Sequence, residues 1–201
     1  MTYAYPDRGF QVEPGRPGDI FFFVTEIVSG AWRGRFGGQF CSLPMTEKEF
    51  GIRCAKAILG QLLPFWRTAV TRQFVVVRHR REIIGAALSY ADTHQTGPSL
   101  ICIDVVVVNE QWRRQGVGQA LVTYFQKRTP PGGRLECYCM SESRVMARLV
   151  KRLGFVRTHK AAKFTIKGQI ALPPERWEWQ AKCASRTLDP VRRNADIAKC
   201  L

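Results

Sequence analysis

One short run constrains the chain more than any other. Ile101-Cys-Ile-Asp-Val-Val-Val-Val108 is apolar and largely β-branched, with Asp104 as its single exception. Such a run reads as a strand covered on both faces, which demands a layer on each side of a sheet. The chain then turns polar and basic, and Gly116-Val-Gly118 opens a helix whose Val117, Leu121, Tyr124 and Phe125 line one apolar stripe. A helix start flanked by glycines leaves backbone N–H donors unpaired at the positive end of the helix dipole, so it is suited to an anion. Arg113 and Arg114 add positive charge just before it. The stretch predicts strand, diphosphate-sized loop, helix.

Three phosphate-binding patterns compete for this loop. A P-loop requires Gly-Lys-Ser/Thr, but Gly118 is followed by Gln119 and Ala120. A dinucleotide fingerprint requires a third glycine where Leu121 stands. What remains is Arg113-x-x-Gly116-x-Gly118, which resembles the acetyl-CoA signature of the GNAT superfamily of N-acetyltransferases. Ser141-Glu-Ser-Arg-Val-Met-Ala-Arg-Leu-Val-Lys-Arg-Leu-Gly-Phe155 is similar to that family's second helix, which ends in Gly-Phe before the next strand. The resemblance covers roughly residues 74–165.

The resemblance implies an α/β (α+β) GNAT fold, with a mixed twisted sheet of about six to seven strands flanked by about four helices. It implies acetyl-CoA as co-substrate and attack of an amine directly on the thioester. It places the cofactor against Val106, Val107 and Val108, whose backbone pairs with the pantetheine arm, and against Arg113, Arg114, Gln115, Gly116, Val117, Gly118 and Gln119. Ser143 falls where relatives carry an asparagine that steadies the pantetheine. The general base falls near Asp104, which is costly to bury unless paired or functional; a salt bridge to one of the many arginines is the competing reading. Glu110 and Glu136 are weaker candidates for the base. Relatives carry a tyrosine acid where this chain has Val150, so either Tyr138, Tyr124 or solvent reprotonates the thiolate, or the thiolate leaves unprotonated, or the domain binds CoA with poor activity. No metal is expected, since Cys137-x-Cys139 stands among only three histidines, His79, His94 and His159.

Along the rest of the chain, residues 1–18 carry three prolines and read as irregular apart from a short strand at Phe10-Gln-Val-Glu13. A domain is expected over 19–170, opening with a helix capped by Asp19 and ended by the Gly30–Gly38 stretch. Trp32, Arg33, Arg35 and Phe36 interleave aromatic and basic side chains in that stretch, as a substrate grip or a plain surface loop. Thr46-Glu-Lys-Glu49 reads as a capping box before a helix with Phe50, Cys54, Ala57, Ile58 and Leu62 at helical spacing. Gln73–Tyr90 predicts a hairpin turning at Arg78–Glu82, with Gly85 at a bulge or close approach. Arg134–Met140 predicts a strand parallel to the central one, and Val145, Met146, Leu149, Val150 and Leu153 the buried stripe of the next helix. Gly154 suits a left-handed position after that helix. Phe155–Thr158 and Ala162–Lys167 read as a closing hairpin. Residues 171–201 read as a basic extension, possible in part as disorder, in which Trp177 and Trp179 pack on the domain or stack bases.

Composition then narrows function. A net charge of +15 and a pI near 10 exceed what a few cofactor phosphates require, and point to nucleic acid or another acidic macromolecule. Seven cysteines without a Cys-x-x-Cys pair fit a reducing, cytoplasmic setting. No membrane is expected as a partner, because no run of about eighteen apolar residues exists. The leading reading is an acetyl-CoA-dependent N-acetyltransferase with an acceptor on or associated with a nucleic acid. A small-molecule acetylase is the alternative within the enzymes, and a nucleic-acid-binding protein on a catalytically weak version of the fold is the alternative outside them.

Overall fold

The structure, a computed structural model, describes residues 3–5, 9–32, 52, 54–58, 70–92, 99–139, 143–159, 164–166, 169–171 and 175–182. Its frame is a mixed sheet in the order β1-β2-β3-β4-β5-β6-β10-β7. The strands are β1 (Tyr3–Tyr5), β2 (Phe10–Pro14), β3 (Val70–His79), β4 (Glu82–Asp92), β5 (Leu100–Val108), β6 (Arg134–Cys139), β7 (Val156–His159) and β10 (Glu175–Gln180), with β8 (Phe164–Ile166) and β9 (Gln169–Ala171) paired apart from it. Eight strands thus make the mixed sheet, and its helices are α1 (Ile20–Trp32), α2 (Val117–Arg128), α3 (Arg144–Arg152) and a helical stretch at 54–58.

β5 and β6 are parallel because α2 carries the chain back over the sheet between them; the other pairs in the sheet are antiparallel. The central run is covered on both faces, as its composition demands. On one side Ile101 and Ile103 join Val117, Leu121, Tyr124, Phe125 and Val150 under α2 and α3. On the other, Val105 and Val107 join Phe23, Ile27, Cys54, Ala57 and Ile58. The β3–β4 hairpin turns tightly at Arg80, whose φ is 56°. Beside that turn Ile84 is an extra residue in the register, and the neighbouring Gly85 is where α2 comes down on the sheet: a Cβ there would lie 2.6 Å from Val117 Cγ1. Bulge and close approach coincide at this glycine.

Several sequence readings change. α1 runs through Gly30 to Trp32, so the glycine-rich stretch does not stop it at Gly30. Asp19 closes the short 3₁₀ turn Pro17–Asp19 by accepting from the Arg16 amide at 2.8 Å, and both its oxygens accept from Arg78, which also pairs with Glu13. That cluster ties the entry of α1 to β2 and β3. The N-terminal segment read as irregular contains β1, paired to β2. Val145, assigned to the buried stripe of α3, is 75 % exposed, whereas Val150 is completely buried. Leu153 is followed by Gly154 at φ 85°, the left-handed residue that lets the Phe155 amide return to the Val150 carbonyl at 3.0 Å.

The largest correction concerns the end of the sheet. Among the described residues the expected closing hairpin between the strands at 155–158 and 162–167 does not form: β7 pairs with β10, and β8 pairs with β9. β10, read as part of the extension beyond 170, inserts between β6 and β7. Trp177 is buried and Trp179 partly buried in the core beneath α3, because alternation sends both to one face and the apolar face is the inner one. Stacking on bases is thereby excluded for Trp177. The Thr46–Glu49 box, the 33–36 loop and residues 183–201 lie outside the described residues.

Candidate functional site

The chain leaves β5 through a 3₁₀ turn, Glu110–Trp112, capped by Asn109, whose side chain accepts from the Gln111 amide at 3.1 Å. Arg113 then folds back: its Nε donates to the Val108 carbonyl at 3.2 Å, and a second nitrogen lies 4.0 Å from Glu110. Part of the charge expected to face an anion is therefore spent fastening the loop to the strand. Arg114 is exposed and left-handed, with φ 62°, and Gly116 follows at φ 90°. Two left-handed residues so close together reverse the chain into α2, and the second needs glycine. The first helical bond returns from the Ala120 amide to the Gly116 carbonyl at 2.9 Å, so the amides of Val117, Gly118 and Gln119 precede any intrahelical acceptor. Gly118 and Gln119 reach the surface, while Val117 is buried. A loop of outward amides at a helix start fits a diphosphate without a specific side chain.

Beside this loop the sheet opens. The β5–β6 ladder runs from Leu100↔Arg134 to Ile103↔Cys137 and stops, although β6 continues to Cys139 and β5 to Val108. Beyond Ile103, β5 keeps β4 as its one ladder partner among the described residues. The cause sits in the register: Leu88 pairs Val105 and Ser89 pairs Ile103, which leaves Asp104 as the extra residue of a bulge. A bulge bends its strand and ends pairing on the far side. Val106 and Val108 are half-buried against the α2 core and Val107 is buried toward α1, so what these three offer the opening is backbone.

The same bulge moves Asp104 out of the core. The sequence reading has it buried in an apolar strand; it is exposed, and the desolvation penalty that motivated its selection does not apply. It remains at the point where β5 and β6 separate. Around it, on the sheet face away from α2 and α3, cross-strand register assembles polar side chains: Tyr90 opposite Cys102 on β4 and β5, Glu136 beside Cys102 on β6, and Arg176 and Glu178 opposite Tyr138 and Glu136 on β10. The Tyr90 hydroxyl is hydrogen-bonded to the Cys102 sulfur, which with burial raises its pKa. Burial pushes the Cys102 thiol up to about 11. Tyr138 is 45 % exposed and its pKa is raised, first by burial of its inner part and then by Glu136. It keeps its proton through neutral pH and has one to give.

The other candidates sort cleanly. Glu136 is 3 % exposed and held by two nitrogens of Arg176, so it is a structural anchor and not a base. Glu110 is exposed beside Arg113. Tyr124 is buried edge-on against Phe125 and faces the core. Val150 is sealed inside the α3 core, so neither its chemistry nor its position supplies an acid. Ser143 is half-buried at the start of α3, and its hydroxyl does not cap that helix. Tyr90 is the residue that sequence reasoning missed. The signal was present, since alternation puts it on the face of Leu88, but an apolar strand buried on both sides conceals its faces.

Against known proteins, the family model described as an acetyltransferase (GNAT) domain matches residues 71–157. No curated protein matches the chain. Among solved structures, the GNAT superfamily phosphinothricin acetyltransferase of Sinorhizobium meliloti in complex with acetyl-CoA is similar at a TM-score of 0.63 and 15% identity, over 87% of this chain and 89% of that one. An N-acetyltransferase of Staphylococcus aureus Mu50 is similar at a TM-score of 0.62 and 12% identity, over 85% and 98%. RimL, a ribosomal L7/L12 α-N-protein acetyltransferase in complex with coenzyme A, is similar at 0.60 and 12% identity, over 90% and 98%.

Proposed function

We propose that this chain is an acetyltransferase of the GNAT kind that moves an acetyl group from acetyl-CoA to an amine carried on, or associated with, a nucleic acid or other acidic macromolecule; the family match over residues 71–157 supports the reading. The observation that carries the reading is the opening between β5 and β6, placed directly before the glycine-bounded start of α2. A pantetheine arm fits the opening as an added strand on Val106–Val108, and the diphosphate fits the amides of Gly116 to Gln119, flanked by Arg114 and Gln115. Ser143 offers a hydroxyl from α3. Similar structures with acetyl-CoA or coenzyme A bound support this assignment.

In the reaction the acceptor nitrogen attacks the thioester carbonyl, a C–N bond forms, and the C–S bond breaks to release thiolate. Asp104 accepts the proton lost by the amine, directly or through water, from its place at the mouth of the opening. The backbone at the bulge polarises the carbonyl. Tyr138, protonated at neutral pH, returns a proton to the sulfur. The acceptor class rests on the +15 charge, which repels polyamines and attracts polyanions. The similar structures include a phosphinothricin acetyltransferase and a ribosomal-protein acetyltransferase, so fold alone does not choose between a small and a macromolecular acceptor.

The test incubates purified protein with isotopically labelled acetyl-CoA and separated RNA, DNA, protein and metabolite fractions. Label in the RNA, DNA or an associated protein fraction is expected. Label confined to metabolites overturns the acceptor assignment, and acetyl-CoA that neither binds nor turns over overturns the enzyme.

A further inference from the structure

α3 has two opposed faces. Met146, Leu149 and Val150 turn inward onto the core, while Arg144, Arg148, Lys151 and Arg152 are exposed. These cations recur at i, i+4, i+7 and i+8, one stripe with a total rise of about 12 Å from Arg144 to Arg152. The helix contains no acidic residue, and among the described residues none of the four makes an ion pair. A nine-residue helix carrying four cations and no acidic residue of its own is self-repelling, a cost that burying its inner face does not require. Val145, 75 % exposed, stands on the same outward side.

The placement of α3 matters as much as its charge. A Cβ on Gly118 would lie 3.3 Å from Leu149, and Gln126 bonds the Leu153 carbonyl at 2.9 Å, so α2 and α3 run in the same direction side by side. Arg144 therefore lies beyond the start of α2, on the side of the diphosphate loop, and the stripe descends from there.

We propose that the outward face of α3 docks the phosphodiester backbone of a nucleic acid. This deepens the macromolecular-acceptor reading by giving that partner a surface, and it rests on that reading for its link to catalysis alone. Phosphate contact by side chains on one helix face is sequence-independent and salt-dependent.

The experiment compares Arg148→Glu/Lys151→Glu with Arg80→Glu/Arg81→Glu, an equal change in net charge at the exposed β3–β4 turn. Fluorescence anisotropy with a labelled RNA hairpin and a labelled DNA duplex of equal length, over a salt series, reads the slope of log K against log salt. The α3 variant is expected to lose about two units of slope and the turn variant less than about one. The two probes distinguish RNA from DNA as the source of the phosphates, and tighter binding of either supports the docking face. Equal losses in the two variants, or binding to anionic lipid vesicles or an acidic protein but to neither nucleic acid, overturn it. Calorimetry with acetyl-CoA runs in parallel, and unchanged affinity is expected in both variants. A fall in that affinity for the α3 variant, with its RNA and DNA isotherms unchanged, assigns the stripe to the cofactor and overturns the proposal. Wild-type protein that binds nucleic acid through α3 but never binds acetyl-CoA leaves the docking face standing and sinks the acetyltransferase reading instead.

Discussion

The two faces of the sheet around β5 are built on different principles. Toward α2 and α3 the site is backbone: a glycine at φ 90°, first-turn amides, a strand edge released from its ladder. Toward the other face, over β4, β5, β6 and β10, it is side chains: Tyr90, Cys102, Asp104, Tyr138 and the Glu136–Arg176 pair. A backbone site tolerates many sequences and recognises what is constant, which in the proposed reading is a diphosphate and an amide-bearing arm. A side-chain site is where one protein differs from another of the same fold. Substitutions on the two sides should therefore fail in different ways.

The largest effect is expected from Asp104→Asn. Turnover should fall by about a hundredfold or more while acetyl-CoA affinity holds, as steady-state kinetics and calorimetry would show. Unchanged turnover would make Asp104 a mere consequence of the bulge. Gly116→Asp should do the reverse and weaken acetyl-CoA by at least about 2 kcal/mol, roughly thirtyfold in Kd, through backbone strain and repulsion. A wild-type Kd there would remove the phosphate assignment. Arg176→Ala strands the buried Glu136 carboxylate; because the arginine side chain is 37% exposed, water offsets part of the loss, and about 1–3 kcal/mol of stability should go in urea unfolding. Val150→Tyr puts a phenol into a sealed core and should cost about 1–3 kcal/mol without raising turnover. The last effect is confined to alkaline pH. Burial pushes Cys54 up to about 12 and Cys102 up to about 11 from 9.0, so the fold favours the protonated thiols. That stability is complete below about pH 9 and is lost as pH rises through the folded values, which urea midpoints across that range would register.

The same contrast explains what could be read in advance. β5, the glycine turn, the α2 stripe and the β3–β4 hairpin are encoded locally, by runs, spacings and turn residues a few positions apart. The exposure of Asp104 is set by how β5 registers on β4, where one extra residue decides which way a side chain points. Val145 went astray because α3 buries a narrower stripe than its apolar content suggests; the cations around it claim the outer face. Glu136 and Arg176 are forty positions apart, and no local pattern announces that they meet. The loop was legible because it is made of glycine and spacing, whereas the polar face was not because it is made of pairings.

β10 has a consequence for how the protein comes into being. A polypeptide leaving the ribosome delivers β6 and α3 well before residues 175–180, yet β6 and β7 have no ladder with each other and each waits for that late strand to stand between them. Until it arrives, two hydrogen-bonding edges and the carboxylate of Glu136 face water or whatever chaperone holds the nascent chain. Synthesis that stalls short of Gln180 would release a fragment with its glycine turn written and its sheet unclosed, a substrate for proteolysis more than for catalysis.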